Sequence, residues 1–501
     1  MRETKHGMTP PIQLLLLGGV SLLAACGGGS GAGDGQPVRS SDRPNIIFVF
    51  TDDHGYADIG AQHILSDVKT PHIDQLAATG VRMTDGYITA PQCTPSRSAL
   101  LTGRYQQKFG VDDNSYSPFP LEQPMLAERL AAVGYKTGIA GKWHLDINGQ
   151  SERWYNEVYA PGSSDPFRLE NIPLQEKLKY YPENRGFQDG FVGYYTNYRA
   201  NYAANGQALG SHQNIKDAGF RVDVISDAAV SFIDRHKTDP FFLYVAYYAP
   251  HVPLEATDKY LSRFPGTMPE RRRYALAMLS AVDDGVGRIM QRLESYGIDD
   301  DTLIVFMSDN GAPLALTKAD VSPVSTNGPE WDGSLNDPWV GEKGMLSEAG
   351  IRVPYIVKWK GHLPEGLVYK EPVISIDAST TAAAAAGLDI SGMDGVNLVP
   401  YLKNPVSKPN RALFWRFMQQ SAIRKGNWKY LRTADEGEYL FDLSSDQHEK
   451  KNLLTTNPAL AASLHQELAQ WSTTLKTPGL PTGSLVQPDK RWFDYYFPAG
   501  Q

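Results

Sequence analysis

From Pro44 onward the chain alternates short apolar runs with longer amphipathic stretches. Short runs rich in β-formers and bounded by polar residues read as strands buried on both faces, and the stretches between them as helices that cover the sheet. This pattern predicts strands over 45–50 (NIIFVF), 136–140, 241–246, 302–307 and 353–358. It predicts helices over 71–79, 124–133, 221–236 and 271–296, with Gly80, Gly134 and Gly297 as C-terminal stops. Such alternation belongs to an α/β sandwich with a large, mostly parallel central sheet flanked by helices. From about residue 408 the pattern changes: aromatic strands over 413–417, 428–431 and 439–442 precede one helix near 458–475. A length of 501 residues exceeds what one core usually supports. The expected division is a main unit over 43–407 and a C-terminal α+β subdomain over 408–501, a small antiparallel sheet with a packed helix.

In open α/β sheets ligands gather just beyond the carboxyl ends of the strands. Asp52 and Asp53 follow the first predicted strand, His251 follows the strand at 241–246, and Asp309 and Asn310 follow the strand at 302–307. Three strands thus deliver polar side chains to one edge. Asp52, Asp53, Asp309 and Asn310 offer only oxygen donors, which suits a hard divalent cation, Ca²⁺ ahead of Mg²⁺. The formal charge of −8 comes with no basic stripe, so nucleic acid is not an expected partner. The N-terminus joins Arg2 and Lys5 to an apolar run and then Leu23-Ala24-Ala25-Cys26, which reads as an export signal over 1–25. The LAAC sequence resembles a bacterial lipobox, which implies lipidation of Cys26, a flexible Gly/Ser-rich tether over 26–42, and anchoring at the outer membrane or in the periplasm. Cys93 is then left as the other of two cysteines, without a disulfide partner, and is either buried or chemically used.

Cys93 opens the stretch CTPSRSALLTG, and GYKTGIAGKWH runs from Gly134 to His144. Both resemble the signatures of the type I, formylglycine-dependent sulfatases. The likeness continues through TDDHG, APHVP around His251, SDNG around Asp309, GEKGMLSEAGIRVP around Lys343, and AIRKGNWKYL and YLFDLSSDQHEKKNL near the C-terminus, covering about residues 43–453. The resemblance implies an alkaline-phosphatase-like sandwich and hydrolysis of a sulfate ester. It implies that a maturation enzyme oxidises Cys93 to formylglycine, whose hydrate attacks sulfur and joins Asp52, Asp53, Asp309 and Asn310 around the metal. Arg97 and Lys142 match the residues that hold this hydrate. His144 matches the base that lets the aldehyde re-form, and His251 and Lys343 match groups that bind sulfate and assist the leaving oxygen. His54 matches no catalytic position and reads as structural support.

Two other readings stay open: a formylglycine-dependent phosphonate or phosphodiester hydrolase of the same superfamily, and an inactive surface lipoprotein that binds sulfated glycans. For the substrate, Tyr194, Tyr195, Tyr198 and Arg199 fall within a Tyr/Arg-rich segment, 180–202, suited to stacking on sugar rings and gripping anionic groups, although packing would use the same residues. With export, they point to a sulfated carbohydrate, either a galactan such as carrageenan or a glycosaminoglycan-type sugar. The loop over 314–337, with Trp331 and Asp332, is a second candidate wall.

Overall fold

The first apolar run folds as the strand Asn45–Asp52, with every residue buried. Its two faces separate as the two-residue repeat of a strand requires. Ile46, Phe48 and Phe50 enter one core with Leu100, Leu126 and Trp415. Ile47 and Val49 enter the other with Val222, Ile225 and Leu276, from the helices Arg221–His236 and Glu270–Ser295. This computed structural model describes residues 43–324 and 330–498. The expected signal over 1–25 and the whole of the expected tether over 26–42, Cys26 included, lie outside those residues. Among the described residues no helix is long and apolar enough to cross a membrane.

The large sheet has ten strands, in the order Leu367–Tyr369, Val81–Met83, Tyr355–Lys358, Thr302–Ser308, Asn45–Asp52, Phe241–Pro250, Lys136–Gly141, Asp189–Tyr194, Asn197–Tyr202 and Ala208–Lys216. Its centre is parallel, with Ile46 opposite both Phe242 and Leu303. The strands Val81–Met83, Leu367–Tyr369 and Asp189–Tyr194 are not among those expected, and two further details differ. The strand expected over 353–358 begins at Tyr355 and runs antiparallel to Thr302–Ser308. Beyond Asp189–Tyr194, the strands Asn197–Tyr202 and Ala208–Lys216 extend the sheet as an antiparallel ribbon that the apolar pattern does not announce. The reason is exposure: Ala208–Lys216 is covered on neither face along most of its length, so it has no apolar run to read.

The C-terminal strands Ala412–Phe417, Gln420–Lys425, Trp428–Thr433 and Gly437–Asp442 form an antiparallel meander. Its second member, QSAIRK, is too polar to stand out in sequence. Trp415, Phe417 and Leu431 share the core of Phe48 and Phe50, so the two sheets are joined by apolar packing. The helices Pro458–Ser472 and Gln487–Tyr496 complete this end of the chain.

Candidate active site

Asp52 is the last residue of its strand, and Asp53 turns the chain with a φ of 60°. The backbone N–H of Asp53 donates to Asp309 Oδ1 at 3.1 Å, and Asn310 Nδ2 donates to Asp53 Oδ1 at 2.5 Å. The adjacent strands Asn45–Asp52 and Thr302–Ser308 therefore deliver their terminal acids to one point. Cys93 enters at the start of the helix Cys93–Leu100, where its thiol donates to Asp52 Oδ1 at 3.4 Å. One turn later Arg97, also fully buried, donates to Asp309 Oδ2 at 2.7 Å and to the Tyr244 hydroxyl at 3.2 Å.

Two lysines close the group. Lys142, just past the strand Lys136–Gly141, is 2.6 Å from Asp52 Oδ2, and Lys343 lies 2.6 Å from Asp53 Oδ1 and 3.6 Å from Cys93 Sγ. His251 Nε2 stands 3.7 Å from Asp53 Oδ2, while its Nδ1 pairs with the Val252 carbonyl at 2.6 Å. His144 has a φ of 59°, and its carbonyl accepts from Thr94 Oγ1 at 3.1 Å, which ties it to the helix of Cys93. All the expected catalytic and metal residues thus converge on one site. His54 is buried between Thr51 Oγ1 at 3.2 Å and the Asp58 carbonyl at 3.0 Å, as a structural residue.

The charges explain what this site can hold. Burial works against an ionised Asp52, yet Lys142, His251, Arg97 and Lys343 outweigh it and keep its carboxyl well below the usual range. Burial and the neighbouring charge of Asp52 instead push Asp309 up to about 7. Burial also pushes the Cys93 thiol up, so it is protonated and not a ready nucleophile as it stands. Burial, helped by Lys142 and Arg97, holds His144 well below the ordinary imidazole range, and burial lowers His251. Both are therefore neutral near pH 7, and His144 is free to accept a proton.

A metal fits these residues. Ligand atoms of Asp52, Asp53, Cys93 and Asp309 all lie within 4.8 Å of one another. Asn310 Oδ1 is buried without a hydrogen-bond partner. Crowded carboxylates and an orphaned amide oxygen are what a hard cation would satisfy.

A cavity of about 520 Å³ adjoins the site, lined by His144 and Tyr248 and by the ribbon residues Tyr194, Tyr198 and Arg199. Tyr194 is half-exposed, and its hydroxyl donates to the Val252 carbonyl at 3.3 Å. Tyr195, at the turn of the hairpin, packs against Tyr194 at 4.4 Å between ring centres. Tyr198 is buried and stacks on Phe191 at 4.4 Å, so it is largely a packing residue. Arg199 lines the cavity already paired with Glu183 at 2.6 Å. The sequence reading passed over Asp146, which lines the same cavity two residues after His144, with its carboxyl pushed up to about 6 by burial. The loop over 314–337 does not meet its expectation at Trp331, which is buried with Ala312 and Leu314 and donates to the Ser334 carbonyl at 2.7 Å.

An α/β enzyme that keeps Arg97, Lys142 and Lys343 and two neutral imidazoles around a group of carboxylates is equipped to hold an anionic ester against a metal, and that is the class the fold and site define. The chain belongs to the sulfatase family, whose model, Sulfatase, matches residues 44–388, and it is accordingly a sulfuric ester hydrolase. It is 30% identical over 479 residues to arylsulfatase A of Bos taurus, covering 86% of this chain and 88% of that one. It is 28% identical over 518 residues to the N-acetylgalactosamine-6-O-sulfatase of Bacteroides thetaiotaomicron, covering 92% of this chain and 98% of the other. The crystal structure of Ps i-CgsB in complex with k-i-k-neocarrahexaose superposes with a TM-score of 0.71 at 29% identity, over 91% of this chain and 98% of that one.

Proposed function

We propose that this protein removes sulfate from a sulfated carbohydrate, using an aldehyde made from Cys93 and a calcium ion held by Asp52, Asp53, Asp309 and Asn310. The observation that carries the reading is the burial of Cys93 between Asp52 and Lys343, 3.4 and 3.6 Å away. A lone thiol held in its protonated form there is a poor nucleophile but a well-placed substrate for oxidation by a maturation enzyme. The calcium ion would polarise the sulfate oxygens and lower the pKa of the attacking hydroxyl.

The chain's own residues do the rest. One hydroxyl of the hydrated aldehyde gives up its proton and forms a bond to sulfur, while the bond from sulfur to the sugar oxygen breaks and that oxygen takes up a proton. Lys343 and His251 hold the sulfate and assist the departing oxygen, to which the Lys343 ammonium supplies charge and a proton. His144, kept neutral by its surroundings, then takes the proton of the second hydroxyl, the carbon–oxygen bond to sulfate breaks, and the aldehyde re-forms. A serine or thiol ester of sulfate would need water to release it, whereas this intermediate collapses by itself.

A carbohydrate is favoured by the aromatic cavity beside His144, and by the relatives that bear the names of an N-acetylgalactosamine-6-O-sulfatase and of a structure holding k-i-k-neocarrahexaose. Export and lipid anchoring through Cys26, ahead of a catalytic unit over 43–407 and a C-terminal subdomain over 408–501, fit a role against external glycans.

The test is sulfate release from a panel of defined sulfated oligosaccharides, alongside aryl sulfate and aryl phosphonate, with mass analysis of the peptide around residue 93. Oxidised Cys93, sulfate release, and its loss without loss of fold in Cys93→Ala are expected. An unmodified cysteine in fully active enzyme, or faster turnover of the phosphonate, would overturn the reading.

A further inference from the structure

The C-terminal helix Gln487–Tyr496 touches the loop that carries Lys343 and contributes no residue to the lining of the cavity beside His144. Its residues divide by face, as a four-residue spacing on a helix dictates. Phe493, with Phe497 just beyond the helix, packs against Tyr439 of the C-terminal sheet at 5.9 and 5.3 Å between ring centres. Trp492 and Tyr496 instead meet the loop that carries Lys343. Gly344 has a φ of 95°, and a Cβ there would lie 2.4 Å from the Trp492 ring, so the indole seals the backbone beside Lys343. The Tyr496 hydroxyl donates to Glu342 Oε1 at 3.1 Å.

Glu342 is itself an anchor. Its buried carboxylate accepts the backbone N–H groups of Leu314, Ala315 and Leu316 at 2.7–2.9 Å. Lys343 N–H donates to the Ala312 carbonyl, two residues after Asn310, and Gly344 N–H donates to the Pro91 carbonyl, two residues before Cys93. Gln420 of the C-terminal sheet grips the Gly344 carbonyl and the Leu346 N–H, both at 2.8 Å. The backbone of the lysine is thus held on both sides.

The geometry points to Trp492 and Tyr496 as positioning residues that hold Lys343 in its sulfate-binding place, making the C-terminal helix a working part of the active site. This rests on the reading that Lys343 binds sulfate. A long, flexible ammonium is useful only if its backbone is held, and misplacement of a binding group by about an ångström costs on the order of a hundredfold.

Inorganic sulfate serves as the probe, because its binding can be measured by calorimetry on the full, calcium-loaded chain whatever the natural sugar. Trp492→Ala is expected to weaken sulfate roughly ten- to a hundredfold, and Tyr496→Phe, which removes only the hydroxyl, by less, with Trp492→Phe restoring most of the affinity. The decisive comparison is in the Lys343→Ala background, where Trp492→Ala should cost nothing further, since there is no ammonium left to position. Equal losses in both backgrounds would make Trp492 merely structural and overturn the inference. So would unchanged sulfate binding in folded Trp492→Ala and Tyr496→Phe. If Lys343→Ala alone leaves sulfate binding intact, the inference falls together with the assigned role of Lys343, while formylglycine-dependent sulfate release, measured separately, still stands or falls on Cys93.

Discussion

His144 shows how a residue's chemistry follows from where its neighbours stand. Lys142 and Arg97 add to burial in holding its imidazole neutral, so it can accept a proton without raising the pH. The sign follows directly: a base whose pKa is lowered loses function only when pH falls through that lowered value. In calcium-loaded enzyme kcat/KM is therefore expected to stay nearly level from pH 7.5 down to pH 6. An acid limb at about 6.5, the ordinary imidazole value, would show that His144 is not the base or is not so placed. At this scale the sequence was most informative for residues inside ordered motifs, where Cys93, Arg97, Lys142 and His144 stand at fixed spacings. Asp146 was invisible because a single aspartate in a loop carries no pattern. Only the cavity gives it a neighbour.

Among the elements, the central strands were legible because burial on both faces leaves an unbroken apolar run, and the polar pairs just past them marked the site. The strands Asp189–Tyr194, Asn197–Tyr202 and Ala208–Lys216 were not: the last is largely exposed, the first two mix polar and glycine positions with only a few buried apolar ones, and their tyrosines read equally well as packing or as recognition. The structure places Tyr198 in the packing. Tyr198→Ala removes a buried ring stacked on Phe191 and is expected to cost about 3 kcal/mol of stability or more. Tyr194→Ala and Arg199→Ala should leave stability within about 1 kcal/mol, yet lower kcat/KM on a sulfated oligosaccharide more than on an aryl sulfate. Thermal unfolding and paired kinetics decide it, and equal losses on both substrates would remove the ribbon from the substrate site.

The ends of two neighbouring strands also set the metal prediction. Asn45–Asp52 and Thr302–Ser308 bring buried carboxylates together, and burial, with the neighbouring charge of Asp52, raises the carboxyl of Asp309. A cation that binds only the folded state stabilises it in proportion to its affinity. Chelation is expected to abolish turnover and lower Tm, with Ca²⁺ restoring both and Zn²⁺ failing to restore activity, because the donors are oxygens. Unchanged Tm and turnover after exhaustive chelation, with no metal found by elemental analysis, would defeat it.

Across the whole molecule, the feature least legible in sequence is how firmly the C-terminal sheet is joined to the rest, because the joining groups lie far apart in the chain. Lys429, from the strand Trp428–Thr433, is fully buried between Glu348 at 2.9 Å and Glu449 at 2.8 Å. Glu348 also takes bonds from Tyr87 and Arg352, so the lysine bridges the small sheet to the structure beside the Lys343 loop. Burial, opposed by Lys429, pushes Glu449 up to about 7, while Lys429, Arg352 and Arg424 overcome burial and hold Glu348 down to about 2. Removing the cation leaves Glu449 buried without its countercharge, and breaking a buried pair in this way costs about 3–5 kcal/mol. Lys429→Met is therefore expected to lower stability by about that amount at pH 8, in one cooperative urea transition, because both sheets share a core. A carboxyl whose folded pKa is raised above its unfolded one binds more protons in the folded state, so stability recovers as pH falls. The penalty should accordingly shrink between pH 8 and about pH 5, as Glu449 takes up a proton. Unfolding curves of wild type and variant at the two pH values measure this directly. A variant as stable as wild type at pH 8, or a penalty that grows on acidification, would show that the lysine does not hold the two sheets together.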